Sequence, residues 1–129
     1  MNADSDKISD RIIGAAFEVA NVLGTGFLEK VYENALVHEL KKRRLLVEQQ
    51  KKITIYYDGV VVGDYCSDLM VEGLIIVELK AVSRIENIHL AQCMNYLKAT
   101  GSKLGLILNF GNPRVEIKRV ANNYHPHHQ

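Results

Sequence analysis

The chain has 129 residues, 47% of them hydrophobic and 24% charged, which suits one hydrophobic core and excludes wholesale disorder. Its formal net charge of +1 excludes attraction of a polyanion by the whole surface, so any nucleic-acid role must rest on local basic groups. Two cysteines, Cys66 and Cys93, are too few and too isolated for a zinc site or a disulfide framework, and both read as buried reduced thiols.

The opening Met1-Asn2-Ala3-Asp4-Ser5-Asp6 lacks the basic-then-apolar layout of a secretion signal. The strongly apolar stretch from Leu74 to Val77 is far too short to cross a bilayer. A cytoplasmic location with no membrane partner is therefore the expectation. Nothing resembling a repeat, a low-complexity tract or a linker divides residues 1–129, which read as a single domain. Its core is expected at about 8–120, with 121–129 a flexible tail carrying His125, His127 and His128.

In chain order, Ile8, Ile12, Ala15 or Ala16, Val19 and Leu23 fall at helical spacing. Ser5 or Asp6 is expected to cap that helix, and Gly24-Thr25-Gly26 to end it. A second helix is expected from Phe27 to Arg44, with Leu28, Val31, Tyr32, Ala35, Leu36 and Leu40 as its buried stripe. Its end, Lys41-Lys42-Arg43-Arg44, is the one dense basic run. Besides contacting nucleic acid, such a run can simply be a solvated helix end favoured by the dipole.

The period then changes to two. Ile53, Ile55 and Tyr57 alternate within a strand predicted over Val47 to Tyr57. Asp58-Gly59 signals a hairpin, and Val60 to Val71 returns as a strand with Asp64, Cys66 and Asp68 expected on one face. After the Glu72-Gly73 turn, the β-branched run in Leu74 to Lys80 marks a central strand covered on both sides. A helix follows over Asn87 to Thr100, with Ile88, Ala91, Met94, Tyr96 and Leu97 expected inside and Gly101 as its stop. Leu104 to Phe110 and Val115 to Val120 are the last strands, the second an edge with Lys118 and Arg119 exposed. A helix between consecutive strands implies a crossover, hence an α+β fold with a mixed sheet.

Chemistry concentrates around Asp68 and Glu78-Leu79-Lys80. A short antiparallel connection can bring Asp68 beside Glu78, and Glu78 and Lys80, two apart, share a sheet face. Two adjacent carboxylates repel unless a cation lies between them, and oxygen ligands suit Mg²⁺ or Mn²⁺. A lysine beside such an ion fits phosphodiester hydrolysis, where charge develops on phosphorus. The plainer alternative is a strand end with solvated charges, since Glu-x-Lys is a common triplet. Gln92 and Tyr96 share a face of the following helix and could sit over the same centre, although alone they would read as a capped amide and a core tyrosine. Gly26, Glu29 and Tyr32 recur at three-residue intervals, with Glu29 in a first turn where the helix dipole by itself favours a carboxylate.

Gly26-Phe27-Leu28-Glu29-Lys30-Val31-Tyr32 resembles the signature of the GxxExxY protein family, which is grouped with the PD-(D/E)XK nuclease superfamily. The resemblance runs from about Ile8 to Val120 and takes in Tyr56-Tyr57-Asp58-Gly59, Val77-Glu78-Leu79-Lys80-Ala81-Val82 and Asn95-Tyr96-Leu97-Lys98-Ala99-Thr100-Gly101. Gln92-x-x-x-Tyr96 is similar to the motif of the RecB-like branch. The resemblance implies an α/β/α restriction-endonuclease-like core, a mixed central sheet flanked by helices. It implies Asp68, Glu78 and Lys80 as catalytic residues, Asp68, Glu78 and Glu29 as metal ligands, and Gln92, Tyr96 and Tyr32 as substrate-binding or supporting groups. Ser67 stands where the name has proline, but the ligand is the aspartate. Asp64 is a weaker candidate ligand.

The leading expectation is a Mg²⁺- or Mn²⁺-dependent nuclease acting on nucleic acid, with DNA favoured over RNA. The alternatives are a non-catalytic nucleic-acid-binding or interaction module on the same fold, and another phosphoesterase or an accessory subunit of a mobile-element or repair system. Pairing through the Val115 to Val120 edge could form a homodimer.

Overall fold

The computed structural model describes residues 3–122. Its elements are α1 (Ala3–Leu23), α2 (Glu29–Lys42), β1 (Val47–Tyr57), β2 (Val60–Val71), β3 (Ile75–Lys80), α3 (Asn87–Thr100), β4 (Leu104–Asn109) and β5 (Glu116–Ala121). The strands form one sheet in the order β1-β2-β3-β4-β5. Only the β3–β4 pair is parallel, because α3 carries the chain back over the sheet between them.

The sheet's two faces are sorted by the two-residue period of its central strands. On one side Ile75, Val77 and Leu79 of β3 and Leu104, Leu106 and Leu108 of β4 pack with Ile12, Ala16, Tyr32, Leu36 and Leu40 of α1 and α2. On the other, Ile76 and Ile107 pack with Cys93 and Leu97 of α3. The result is the expected α/β/α arrangement, and by alternation Glu78 falls on the α3 side. Gly105 lets α3 approach β4 there, since a β-carbon at that position would lie 2.6 Å from Cys93 Sγ. The β1–β2 hairpin turns at Asp58 (φ 53°) and Gly59 (φ 75°), both left-handed as a two-residue type I′ turn requires. Among the described residues no helix is long and apolar enough to cross a membrane.

Several boundaries and faces differ from the sequence reading. Ser5 and Asp6 do not cap α1, which already begins at Ala3. In α2 the buried positions are Tyr32, Glu33, Leu36, Val37 and Leu40, whereas Leu28 and Val31 are exposed. Leu28 precedes the first helical turn and Val31 points off the sheet. In α3 Cys93 and Leu97 are the buried pair and Ile88 and Ala91 face outward. Cys93 is a buried thiol as expected, but Cys66 is exposed. Two residues of the basic run, Lys42 and Arg43, are drawn into local pairing, both bridged to Glu39. The first two residues of the expected tail belong to the fold: Ala121 pairs with Leu104 in β5, and the Asn122 amide donates to the Lys103 carbonyl at 2.9 Å. The rest of it, with its histidines, lies outside the described residues.

Candidate active site

The site lies where two strands part. The β2–β3 ladder runs only from Val71↔Ile75 to Leu69↔Val77, while β3 stays paired with β4 as far as Lys80↔Asn109. Beyond Leu69 the β1–β2 hairpin peels away as an arm, and carboxylates replace the missing main-chain bonds. The Asp68 amide donates to Glu78 Oε2 at 3.0 Å, and the Leu79 amide donates to Asp68 Oδ2 at 2.8 Å. The two acids are thereby laced across the opening, side by side as the short antiparallel connection suggested.

A kink in β1 accompanies the opening. Gln49 faces Leu69 and Lys51 faces Ser67, but Gln50, opposite Asp68, drops out of the ladder with a left-handed φ of 57°. Holding a glutamine there costs about 1–2 kcal/mol. Glu33, only 4% exposed, supplies the restraint. Its carboxylate accepts from Gln49 Nε2 at 2.6 Å, from Gln50 Nε2 at 3.0 Å and from Lys30 Nζ at 3.0 Å. Burial raises the Glu33 pKa, but these three donors together bring it below the usual carboxylate value. The kink also interrupts the two-residue period. Tyr65 and Met70, an odd number of residues apart, both pack on the α3 side. Asp64 accordingly does not join Asp68 as expected; it pairs with Lys52 at 3.8 Å along the arm.

Glu78 is 4% exposed, and burial first, then the charge of Asp68, pushes its carboxyl up to about 7. Asp68 is raised too, chiefly by burial and further by the charges of Glu33 and Glu29, while Leu79 N–H and Lys80 oppose the rise. The Tyr65 hydroxyl donates to Glu78 Oε1. Its ring stacks on Tyr96 of α3, with centroids 3.7 Å apart and planes 15° from parallel. Burial and the Glu78 carboxylate raise the Tyr65 pKa well above the ordinary phenol range, so this hydroxyl keeps its proton and donates.

Lys80 is half-buried at the end of β3, opposite Asn109 of β4. Asn109 is fully buried. Its Oδ1 accepts from the amides of Val82 at 2.9 Å and Gly111 at 3.0 Å. Its Nδ2 donates to Val82 O at 2.9 Å and Glu116 Oε1 at 3.0 Å. This knot fixes the chain just after Lys80, and a β-carbon at Gly111 would overlap Val82 there.

The predicted residues divide by place. Asp68, Glu78 and Lys80 meet at the opening, and Tyr96 backs it through Tyr65. Gln92 is exposed on α3, and Glu29 is exposed at the start of α2, reaching Asp68 through its charge. Tyr32 is 1% exposed. Its hydroxyl donates to Gly24 O at 2.7 Å and accepts from Phe27 N at 3.3 Å, and its ring stacks on Phe110. It pins the α1–α2 loop, a supporting role. Tyr65, Glu33 and Asn109 were not singled out from sequence. Glu33 had a signal, because it falls at helical spacing between Tyr32 and Leu36 in the buried stripe. Tyr65 and Asn109 had none.

Among the described residues no three His, Cys, Asp or Glu side chains are grouped to hold an ion between them. The donor set nevertheless suits a hard divalent cation. Two carboxyl groups, Glu78 buried and Asp68 half-buried, lie together with raised pKa values, the condition a cation between them would relieve. Main-chain carbonyls and water would have to complete its shell.

A family model of the PD-(D/E)XK nuclease superfamily matches residues 6–120. No curated protein matches the chain. Among solved structures, SSO0001 is similar at 16% identity and a TM-score of 0.55, over 75% of this chain and 51% of that one. An alkaline exonuclease from Laribacter hongkongensis is similar at 11% identity and a TM-score of 0.50, over 84% of this chain and 76% of the other. The chain spans about half the length of SSO0001. At these identities the likeness is one of fold.

Proposed function

The chain belongs to the PD-(D/E)XK nuclease superfamily, and we propose that it is a Mg²⁺- or Mn²⁺-dependent nuclease that hydrolyses phosphodiester bonds, with DNA as the favoured substrate over RNA. The observation that carries this reading is the lacing of Asp68 and Glu78 across the β2–β3 opening, with Lys80 two residues further along the same strand. Within the superfamily we place the chain in the GxxExxY group, near the RecB-like branch, on the strength of Gly26, Glu29 and Tyr32 and of Gln92 and Tyr96.

In this reading Asp68 and Glu78 hold the ion. When bound, such an ion supplies Lewis-acid polarisation of the phosphate and lowers the pKa of the hydrolytic water. Tyr65 keeps Glu78 oriented by donating to Oε1, which leaves the carboxylate turned toward Asp68. The Lys80 ammonium stabilises negative charge as it develops on phosphorus and orients the attacking water. Glu29, on the rim, adds a carboxylate near the ion, and Gln92 faces substrate from α3. Two copies paired along β5 would present two centres to two strands.

The test is incubation with linear, circular, single- and double-stranded DNA and with RNA, each with Mg²⁺ or Mn²⁺. Cleavage is expected from the unsubstituted chain and a loss of about a hundredfold or more from Lys80→Ala, the scale set by removal of one charge-stabilising donor. Equal activity in the two would remove the enzyme reading.

A further inference from the structure

Between the hairpin arm and α3 runs a groove of about 600 Å³, lined by Thr54 and Tyr56 from β1 and by Asn95, Tyr96 and Lys98 from α3. We infer that this groove grips an unpaired strand of the nucleic-acid substrate as it leaves the active site; the inference rests on the nuclease reading and names the substrate form that the site accepts.

Continuity with the centre is the first argument. Tyr96 is shared, since it lines the groove and stacks on Tyr65, whose hydroxyl is bonded to Glu78. A strand whose phosphate sits at Asp68 and Glu78 therefore has the groove as its neighbour, behind one pair of aromatic rings.

Charge is the second. The lining includes Lys98 and no acidic residue, and α3 carries no Asp or Glu anywhere along Asn87–Thr100. Beside a centre built from acids, this is the surface that suits a polyanion. The chain as a whole is nearly neutral, so local charge has to serve.

The third is the mix of surfaces. Tyr56 is 65% exposed, a large ring held in a strand with its face available to a base. Asn95 and Thr54 line the same groove and each offers a hydrogen-bond donor and acceptor, and Lys98 suits the backbone. Aromatic faces beside a basic groove are how unpaired strands are bound without sequence preference. A duplex keeps its bases stacked inside and presents no free face to Tyr56, so the groove selects unpaired ends or tails.

The experiment measures binding by fluorescence anisotropy, using oligothymidylate, oligouridylate and a blunt duplex, with the Lys80→Ala chain in Mg²⁺. Tyr56→Ala is expected to weaken single-strand binding about fivefold to a hundredfold, with its salt dependence unchanged. Lys98→Ala is expected to weaken it and to lower the slope of log K against log salt by about 0.7, one phosphate contact on a single strand. Blunt-duplex binding should move little in either. Loss in both single-strand arms, or in one, supports the groove and tells whether it separates a DNA strand from an RNA strand. Single-strand affinity unchanged in both variants, or a loss equal to that for duplex, overturns it. Cleavage by the chain that retains Lys80 is scored separately. Cleavage without a groove effect sinks only the groove, and a groove effect without cleavage sinks only the enzyme reading.

Discussion

Glu78 is a carboxylate that the fold keeps close to its neutral form. Its pKa of about 7 lies above the ordinary value of 4.5, so between those pH values the folded chain holds a proton that the unfolded chain has released. Stability from this group is therefore fully present below about pH 4.5 and is lost as pH rises through 7. The full effect is at most about 3 kcal/mol. Asp68 shifts in the same direction and deepens the slope, while Glu33, held below its usual value, works against it at lower pH. Urea unfolding in EDTA across this range isolates Glu78 when compared with Glu78→Gln. The variant is expected to keep only the smaller decline due to Asp68 and to match or exceed the parent chain near pH 8. Parallel pH profiles for the two chains would show that the Glu78 proton is not what the fold retains.

At the scale of elements, the arm and its kink decide how the site opens. Gln50 is held left-handed by bonds to a residue on α2, so Glu33 and Gln50 form one device. Glu33→Ala removes three charge-assisted donor contacts and leaves the strained glutamine unsupported, an expected loss of about 2–4 kcal/mol. Adding Gln50→Gly to that variant should return about 1 kcal/mol, because glycine adopts the left-handed region without the steric cost. Urea midpoints for the single and double variants measure this. No recovery on adding glycine would mean that the kink is unstrained or survives without Glu33. Much of the element pattern was readable beforehand, because it is written locally. Asp58-Gly59 fixed the hairpin, the alternation of Ile75 to Leu79 fixed a covered strand, and Gly101 ended α3. The kink was not readable, since no local preference puts a glutamine in the left-handed region and its restraint is a side-chain contact to Glu33 on the preceding helix, 17 residues back. For the same reason Asp64 was assigned to the face of Asp68, and the Tyr65–Glu78 bond, made only when the arm folds over α3, went unseen. Asp68, Glu78 and Lys80 were legible because their spacing is set by one turn and two adjacent strands.

For the whole molecule, the centre is also a join. Beyond Leu69 and Val77 the β2–β3 ladder has ended, and the crossed carboxylate–amide bonds carry the connection between the arm and the central strands. An ion bound by Asp68 and Glu78 would tie those same parts together and remove the repulsion between the two acids. Its binding must therefore appear in global stability, whether or not the chain turns over substrate. A ligand at a hundred times its Kd stabilises the folded state by about 2.7 kcal/mol, on the order of 10 °C in Tm for a domain of this size. Thermal unfolding with increasing Mn²⁺ is expected to show a rise of that order, growing with pH from 5 to 8 as protons leave the acidic pair (the reverse of the metal-free trend). Asp68→Asn should abolish most of the rise. Lys80→Ala should keep it, because the lysine is no ligand and its removal takes a positive charge away from the ion. A Tm that climbs equally with Mn²⁺ in the parent chain and in Asp68→Asn would place the ion elsewhere and leave Asp68 as a strand-bridging acceptor alone.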